Sequence, residues 1–351
     1  RLVCRALAPA PDAIAAVAER LNASTGADVV VGAGVDRDLA VADLVALAER
    51  HQASVYVPPM CARCGFPERH PQFCGFLPAM REKIVERLAP HDFILVLGAP
   101  AFTYHVEGNG PHVPEGAQLA QIVDDPQQAA WAPVGDSVIA SLDLGIRALL
   151  ATSTPNAERE AALSRPAPPA PLPGVPMSAA YALSVIDRER HADDVVVEEA
   201  PSTRSTIQTY LPMNGADSFY TMASGGLGHS MPAAVGIALA RRRMKLPGRV
   251  IALIGDGSSL YSIQALYSAA QLDLPMTFLI LNNRRYAALQ DFASVFGYAP
   301  NDKPAGTELP GLDFAQLAGG QGVPGERVER PEDLAPRLRA AFAASAPNLI
   351  D

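Results

Sequence analysis

The chain has 351 residues, of which 49% are apolar and 19% are charged, and its formal net charge is -9. This composition excludes a disordered chain and allows one large domain or two ordinary domains with their own cores. Because acidic residues outnumber basic ones, we expect no basic surface that binds the phosphate backbone of a nucleic acid. No apolar run approaches the roughly 20 residues that span a bilayer, so we expect no membrane partner either.

The first half of the chain alternates predicted strands with predicted helices. Short runs rich in Val, Ile and Leu predict strands at residues 28–31, 54–57 and 93–97. Helical periodicity predicts helices over residues 38–50 and 78–88. Such βαβ alternation indicates a parallel sheet with helices on both faces.

A glycine-rich turn, Gly32-Ala33-Gly34, follows the first predicted strand. The third glycine of a dinucleotide-binding fingerprint is missing because Arg37 stands there, and we expect no helix to start at once. An ordinary strand-to-loop turn is therefore favoured over a nucleotide site.

The cysteines are unevenly placed, which favours a reducing compartment and a cytoplasmic location over a disulfide framework. They are Cys4, Cys61, Cys64 and Cys74. The last three form C-x2-C-x5-H-x3-C with His70, which has the ligand types of a zinc knuckle. Pro67 and Pro71 stiffen this segment, so we favour a loop whose thiols pack as small apolar groups.

A proline-rich segment divides the sequence. Six prolines lie between residues 166 and 176, and they disfavour both a helix and a central strand. We predict a central domain over residues 1–160, a linker over 161–176 and a second domain over 177–351.

The second half repeats the alternation of strands and helices. Strands are predicted at residues 195–197, 250–254 and 277–281. Predicted helices occupy residues 177–190, 231–242, 259–272 and 331–344. The predicted fold class is α/β, with two doubly wound parallel-sheet domains joined by the proline-rich linker.

Two polar motifs follow neighbouring predicted strands of the second domain. Gly255-Asp256-Gly257-Ser258-Ser259 comes after the strand at 250–254, and Asn282-Asn283 comes after the strand at 277–281. Both motifs point to the carboxyl edge of the sheet, where open α/β sheets bind ligands. Glycine amides suit a phosphate, while a carboxylate and an amide oxygen suit Mg²⁺ or Ca²⁺.

G-D-G-S followed by N-N resembles the cofactor motif of the thiamine-diphosphate (thiamine pyrophosphate) dependent decarboxylase superfamily. Further segments resemble benzoylformate decarboxylases, and the resemblance covers nearly the whole chain. These segments are residues 66–71, 98–105 and 287–292, while residues 225–228 with 231–237 resemble the superfamily segment that opens the cofactor-binding helix.

The resemblance implies a metal site and a cofactor site. Asp256 and Asn283 would bind Mg²⁺ (or Ca²⁺) through their side chains, and Arg285 through its main-chain carbonyl. The implied contacts to thiamine diphosphate are Ser202, Thr203, Gly225, Leu227, Gly255, Gly257, Ser258, Ser259 and Tyr286.

The resemblance also implies a catalytic side chain and a substrate pocket. His105 would act in proton transfer, and Leu289 and Phe292 would line an apolar pocket. Because the two residues are spaced i, i+3, they could equally lie on one face of a helix and pack in the core.

This sequence departs from the family at several of these places. Arg284 and Arg285 are cations where small residues are expected, and they would either neutralise the phosphates or extend into solvent. Pro201 replaces a hydroxyl residue, and His229 replaces an aromatic residue.

The implied activity is non-oxidative decarboxylation of a small-molecule 2-oxo acid, of aromatic type, to an aldehyde and CO₂. The resemblance implies a pyrimidine-binding domain that carries the catalytic glutamate, and these 351 residues do not include it, so we expect the 351 residues alone to be inactive. The intact protein is expected to be a homotetramer, a dimer of dimers. The alternatives are a thiamine-dependent carboligase and a non-catalytic nucleotide- or zinc-binding α/β protein.

Overall fold

The computed structural model describes residues 6–104, 107–299 and 302–351. The chain forms two compact units. One comprises Arg1–Ala167 with Met213–Asp217, and the other comprises Pro168–Pro212 with Ser218–Asp351. Residues 161–178, within the described part, contain neither helix nor strand, in agreement with their proline content.

The first unit is built around a six-stranded sheet in which every pairing is parallel. Its strands are β1 (Ala27–Val31), β2 (Ser54–Val57), β3 (Phe73–Phe76), β4 (Phe93–Leu97), β5 (Gln118–Val123) and β6 (Asp136–Ile139). Its helices are α1 (Pro11–Ala23), α2 (Ala33–Arg37), α3 (Val41–His51), α4 (Arg81–Leu88), α5 (Pro126–Trp131) and α6 (Leu142–Thr152). The strand order is β3-β2-β1-β4-β5-β6.

The central strands of this sheet are buried on both faces. Every residue of β1 and β4 is buried, because helices cover the two sides of the sheet. On one side the amphipathic helix α1 buries Ile14, Val17 and Leu21. The predicted α/β class is confirmed for this unit.

Some boundaries in the first unit differ from the prediction. The predicted helix at 38–50 begins only at Val41, and α2 precedes it. The predicted helix at 78–88 begins at Arg81. Strand β3 was not predicted, since Phe73-Cys74-Gly75-Phe76 is short, contains a glycine, and pairs with β2 across a register shift.

The second unit contains another six-stranded sheet that is parallel throughout. Its strands are β7 (Val195–Glu199), β8 (Phe219–Thr221), β9 (Val250–Gly255), β10 (Met276–Leu281), β11 (Gly325–Glu326) and β12 (Asn348–Ile350). Its helices are α7 (Ala179–Glu189), α8 (Arg204–Tyr210), α9 (Ser230–Met244), α10 (Asp256–Ser259), α11 (Ala265–Gln271), α12 (Ala287–Phe292), α13 (Phe314–Gly319) and α14 (Pro331–Ala343). Short 3₁₀ turns occupy Pro201–Thr203 and Ala293–Phe296.

The order of this sheet, β11-β12-β10-β9-β7-β8, places β8 and β9 on opposite sides of β7. The chain therefore reverses direction across the sheet at β7, which creates a topological switch point between β7 and β9. In open α/β sheets, ligands bind in the crevice at the carboxyl ends of the strands at such a point.

Within the predicted helix at 259–272, only α11 is α-helical beyond Ser259, the residue that ends the short α10. Between them the backbone forms i→i+3 bonds, from the amide of Ser262 to the carbonyl of Ser259 and from Ala265 to Ser262. This tighter winding interrupts the α-helical ladder. No helix in the described part of the chain combines the length and hydropathy needed to cross a lipid bilayer.

Candidate cofactor site

The switch-point edge of the second sheet carries the Gly-Asp-Gly motif. Strand β9 ends at Gly255, and α10 begins immediately with Asp256, whose side chain is buried. Asp256 Oδ1 accepts the amide of Gly257 at 2.8 Å. Burial raises the pKa of the Asp256 carboxyl, although amide donors act against this shift.

The Asn-Asn motif lies at the end of the neighbouring strand, β10. Arg284 adopts a left-handed backbone conformation, with φ 60°, and its amide donates to Asn282 Oδ1. This turn directs the backbone amide of Arg285 towards two side chains. It donates to Asp256 Oδ2 at 3.2 Å and to Asn283 Oδ1 at 3.1 Å.

The Asp256 and Asn283 oxygens therefore converge on one nitrogen, and each retains a further lone pair for a cation. Within the described residues, no cluster of three or more His, Cys, Asp or Glu side chains could hold a metal by itself. Mg²⁺ typically binds one or two protein carboxylates and completes its shell with phosphate oxygens and water. A site with one carboxylate and one amide oxygen fits a cation that arrives with a phosphate ligand.

The remaining residues of the motif are small and closely packed, and Gly257 lies against Tyr286. Ser258 and Ser259 are buried in α10, and Ser259 Oγ donates to the Asp256 carbonyl at 2.7 Å. A methyl group added to Gly257 would lie 2.4 Å from the Tyr286 ring. The structure thus brings Tyr286 beside the Gly-Asp-Gly motif, as the predicted site requires.

Ser202 and Thr203 lie in the 3₁₀ turn that follows β7. The turn packs against β9 and α12, which places it at the same edge of the sheet as Asp256. It is followed by Arg204, whose guanidinium pairs with Glu198 at 2.6 Å. Ser202 is exposed and Thr203 is half-buried, so the Ser202 side chain is accessible to a ligand.

Gly225 and Leu227 belong to the loop before α9. Gly225 has φ 75° and is exposed, and Leu227 is half-buried. Gly228 has φ 92°, and its amide donates to Glu199 Oε1 at 2.6 Å. This loop is thereby connected to the carboxyl end of β7.

The predicted pocket residues Leu289 and Phe292 lie on α12, which packs against the Pro201–Thr203 turn. Their side chains are 59% and 45% exposed, so they are not core residues of this unit. The predicted catalytic residue His105 lies outside the described residues.

The positions that depart from the family lie around this edge. The Arg284 side chain is exposed and pairs with Glu329 at 3.5 Å, and Arg285 is exposed as well. Pro201 opens the 3₁₀ turn, and His229 is an exposed residue immediately before α9.

Family models match both halves of the chain. "Thiamine pyrophosphate enzyme, central domain" matches residues 14–149, and "Thiamine pyrophosphate enzyme, C-terminal TPP binding domain" matches residues 202–351. The chain is 41% identical to benzoylformate decarboxylase of Pseudomonas aeruginosa over 100% of its own length. It belongs to the thiamine pyrophosphate enzyme family.

Solved structures agree with this assignment. The crystal structure of benzoylformate decarboxylase from Polynucleobacter necessarius matches with a TM-score of 0.94 at 32% identity, over 100% of this chain. A thiamine diphosphate-dependent 4-hydroxybenzoylformate decarboxylase from Rhodococcus jostii matches with a TM-score of 0.93 at 38% identity, also over 100% of this chain. The chain spans 65% of the length of each of these three proteins.

The cofactor of this thiamine pyrophosphate enzyme is therefore thiamine pyrophosphate with a divalent cation such as Mg²⁺. The donor set at Asp256 and Asn283 and the glycine-lined motif beside Tyr286 fit such a group.

The first sheet of the thiamine pyrophosphate enzyme offers no comparable phosphate site at its glycine-rich turn. Helix α2 starts directly after Gly32, so the prediction that no helix starts at once was wrong. The amides of Gly32 and Gly34 donate to the carbonyls of Leu97 and Gly98, at 2.8 and 3.0 Å. A methyl group at Gly32 would lie 2.3 Å from the Gly98 oxygen. The lack of a side chain at these glycines therefore permits close contact between the ends of β1 and β4.

The zinc-knuckle alternative does not hold among the described cysteines. The thiol of Cys61 lies 3.2 Å from the Arg63 carbonyl, and that of Cys64 lies 3.2 Å from the Phe66 carbonyl. Cys74 is buried on β3, and His70 pairs with Glu49. The thiols contact backbone carbonyls rather than a common metal position.

Two residues at this site, Glu198 and Glu199, were not predicted from the sequence. Both are 1% exposed at the end of β7; the Glu198 carboxylate contacts Arg204 at the start of α8, and the Glu199 carboxylate contacts the loop before α9. The available signal was the pair of acidic residues that ends the apolar run Val195-Val196-Val197.

Proposed function

We propose that this chain forms the central and cofactor-binding parts of a decarboxylase that converts an aromatic 2-oxo acid to an aldehyde and CO₂. The proposed central domain covers residues 1–160, the linker 161–176 and the cofactor domain 177–351. The likeness to benzoylformate decarboxylases along the whole chain supports this function. The observation that carries it is the convergence of Asp256 and Asn283 at the switch-point edge.

When bound, thiamine pyrophosphate supplies the electron sink that allows a 2-oxo acid to lose CO₂. The proposed task of Asp256 and Asn283 is to hold Mg²⁺ through their side-chain oxygens, with the main-chain carbonyl of Arg285 as a third ligand. One carboxylate among these ligands leaves positions on the cation for diphosphate oxygens.

The proposed contacts to the diphosphate are Ser258, the amides of Gly257 and Ser259, and the exposed Ser202 with its neighbour Thr203. Gly255 keeps the strand end small enough for the diphosphate to approach the backbone. Tyr286, whose ring lies against Gly257, closes one side of this part of the site.

Gly225 and Leu227 are proposed to contact the organic part of the cofactor. The Gly225 carbonyl would accept a hydrogen bond from the aminopyrimidine, and the half-buried Leu227 would pack against the cofactor. A positive φ at Gly225 is a conformation that most other residues would adopt only with strain.

The proposed substrate surface consists of Leu289 and Phe292. Their exposed apolar area can bury an aromatic ring and exclude water from the reacting carboxylate. His105 is proposed to move a proton during formation of the aldehyde.

We further propose a cytoplasmic homotetramer, a dimer of dimers, in which a pyrimidine-binding domain completes the site. On this basis the 351 residues alone have no turnover. The test is CO₂ release by the purified 351-residue chain beside the complete gene product, with activity expected in the second preparation only.

The decarboxylase proposal is tested with the complete protein, benzoylformate, 4-hydroxybenzoylformate and pyruvate, with and without aldehyde acceptors. We expect CO₂ and the matching aromatic aldehyde from at least one aromatic substrate. CO₂ release from pyruvate alone, with coupled acyloin or acetolactate products, would instead identify a carboligase and overturn the proposal.

A further inference from the structure

The last residue of β7, Glu199, has no role in the function proposed above. Its side chain is 1% exposed, and a buried polar group requires hydrogen-bond partners. Both of its oxygens are used. Oε1 accepts the amide of Gly228 at 2.6 Å, and Oε2 accepts the amide of Ser230 at 2.7 Å.

These two contacts have the chemistry of an anion at a helix start. Ser230 is the first residue of the fifteen-residue helix α9, and His229 before it makes no side-chain capping bond. The amides of the first turn of a helix lack partners within the helix, and the helix dipole favours a negative charge there. Glu199 supplies that charge from the neighbouring strand.

The same contacts restrict the loop before α9. Gly228 has φ 92°, and a methyl group there would lie 2.9 Å from Cβ of Tyr261, so the loop passes close to the chain that follows the Gly-Asp-Gly motif. Because Glu199 binds amides on both sides of His229, it fixes the end of this loop against the sheet.

The preceding residue, Glu198, contacts the start of helix α8 and the end of strand β8. Its carboxylate pairs with Arg204 at 2.6 Å, directly after the Pro201–Thr203 turn, and accepts the hydroxyl of Thr221 at 2.9 Å. Successive side chains of a strand point to opposite faces, so adjacent glutamates can reach two different loops.

We propose that Glu199 is a positioning residue for cofactor binding, whose carboxylate holds residues 225–230 in the conformation that receives thiamine pyrophosphate. This inference rests on the proposed roles of Gly225 and Leu227 in the same loop.

The principal variant is Glu199→Gln. A glutamine preserves the size of the side chain, but its NH₂ group cannot accept the second amide, so one donor is left facing another donor. We expect faster amide hydrogen exchange in the peptide covering residues 225–230, and a Kd for thiamine pyrophosphate with Mg²⁺ that rises about tenfold.

Asp194→Asn is the matched control. Asp194 precedes β7, is 1% exposed and also accepts two backbone amides, those of His191 at 2.9 Å and Arg249 at 2.7 Å. It lies at the amino end of the strand, away from the cofactor edge. Asp194→Asn should therefore lower the Tm of the protein, and it should leave both the cofactor Kd and the amide exchange of residues 225–230 unchanged.

A Kd for Glu199→Gln within twofold of the parent, or an equal rise in Asp194→Asn, would overturn the inference. If Glu199→Gln does not fold, Glu199→Asp keeps the charge with a shorter reach, and its Kd is expected to rise at least threefold; a parental value would overturn the inference.

The exchange measurement needs no cofactor, so unchanged exchange contradicts the role of Glu199 even if the parent is an active decarboxylase. If the complete protein binds the cofactor without releasing CO₂ from any 2-oxo acid, the proposed function alone is contradicted.

Discussion

Asp256 and Asn283, 27 residues apart in the chain, accept hydrogen bonds from the same backbone amide, that of Arg285. The two residues follow adjacent parallel strands, β9 and β10, so the sheet itself brings them together. One carboxyl group and one amide oxygen are thus available at the switch-point edge, and the proposed metal site depends on this pair.

Replacing Asp256 by Asn should abolish tight binding of the cofactor. The substitution preserves shape and removes the only carboxylate of the proposed ligand set, so the Kd for thiamine pyrophosphate with Mg²⁺ should rise roughly 100-fold. Calorimetric titration measures this change. Asp313→Asn, at the start of α13, alters a carboxylate that accepts the Gln316 amide, and it should leave the Kd at the parental value.

Replacing Gly257 by Ala should displace the Tyr286 ring, because the new methyl group would lie 2.4 Å from it. We expect weaker cofactor binding and a Tm several degrees lower, as an overpacked site typically costs about 1–3 kcal/mol. Truncation of the ring in Gly257→Ala/Tyr286→Ala should recover much of the Tm.

Gly236→Ala provides the control for this substitution. Gly236 is exposed within α9, and apart from its chain neighbours and the helix's own backbone no atom lies within 4 Å of the position that a methyl group would take. Alanine should stabilise this helix by up to about 1 kcal/mol. A Gly257→Ala variant as stable as Gly236→Ala would contradict the packing against Tyr286.

Shortening the apolar side chains of α12 should change substrate preference more than stability. Leu289→Ala and Phe292→Ala in the complete protein should each raise the KM for benzoylformate roughly tenfold and leave the KM for pyruvate nearly unchanged. Because both side chains are about half exposed, the Tm should change little. Leu246→Ala, another partly exposed leucine, should affect neither KM; equal effects on both substrates would argue against an aromatic pocket.

The stability of the first unit should fall as the pH is lowered from 7 to 5, because His51 has a lower pKa in the folded chain than in the unfolded chain. This ring is buried, it lies 2.8 Å from Ser153 Oγ, and burial with the nearby Arg159 and Arg50 lowers its pKa from 6.5 to about 4. Below pH 6.5 the unfolded chain binds a proton that the folded chain does not, so the free energy of unfolding decreases by about 2 kcal/mol between pH 7 and pH 5.

His51→Gln, which retains a polar group beside Ser153 and does not titrate, should lose this contribution. Urea titrations of the two proteins at pH 7 and pH 5 give the comparison. Parallel pH dependences in parent and variant would show that His51 is not responsible.

The strand-and-turn motifs of the second unit could be predicted because their signals are local. The apolar run before Gly255 and the one before Asn282 each end in residues that favour turns, and parallel strands align those ends. The division of the predicted helix at 259–272 could not be predicted, because the i→i+3 bonds of Ser262 and Ala265 replace an α-helical ladder that the apolar pattern also permits.

The acidic pair Glu198-Glu199 was visible in the sequence, but the partners of the two carboxylates could not be predicted from it. Acidic residues at a strand end are typical of solvent-exposed positions, and only the folded chain shows that Glu199 accepts amides from residues some thirty positions later. Strand β3 was missed for a related reason, since its pairing with β2 compensates for a sequence with weak strand character.

The most direct test of the metal site is anomalous diffraction from crystals grown with thiamine pyrophosphate and Mn²⁺ in place of Mg²⁺. We predict one strong peak per chain, within ligand distance of Asp256 and Asn283 side-chain oxygens and close to the main-chain carbonyl of Arg285. Bound cofactor with no peak there, or a peak elsewhere on the chain, would contradict the account.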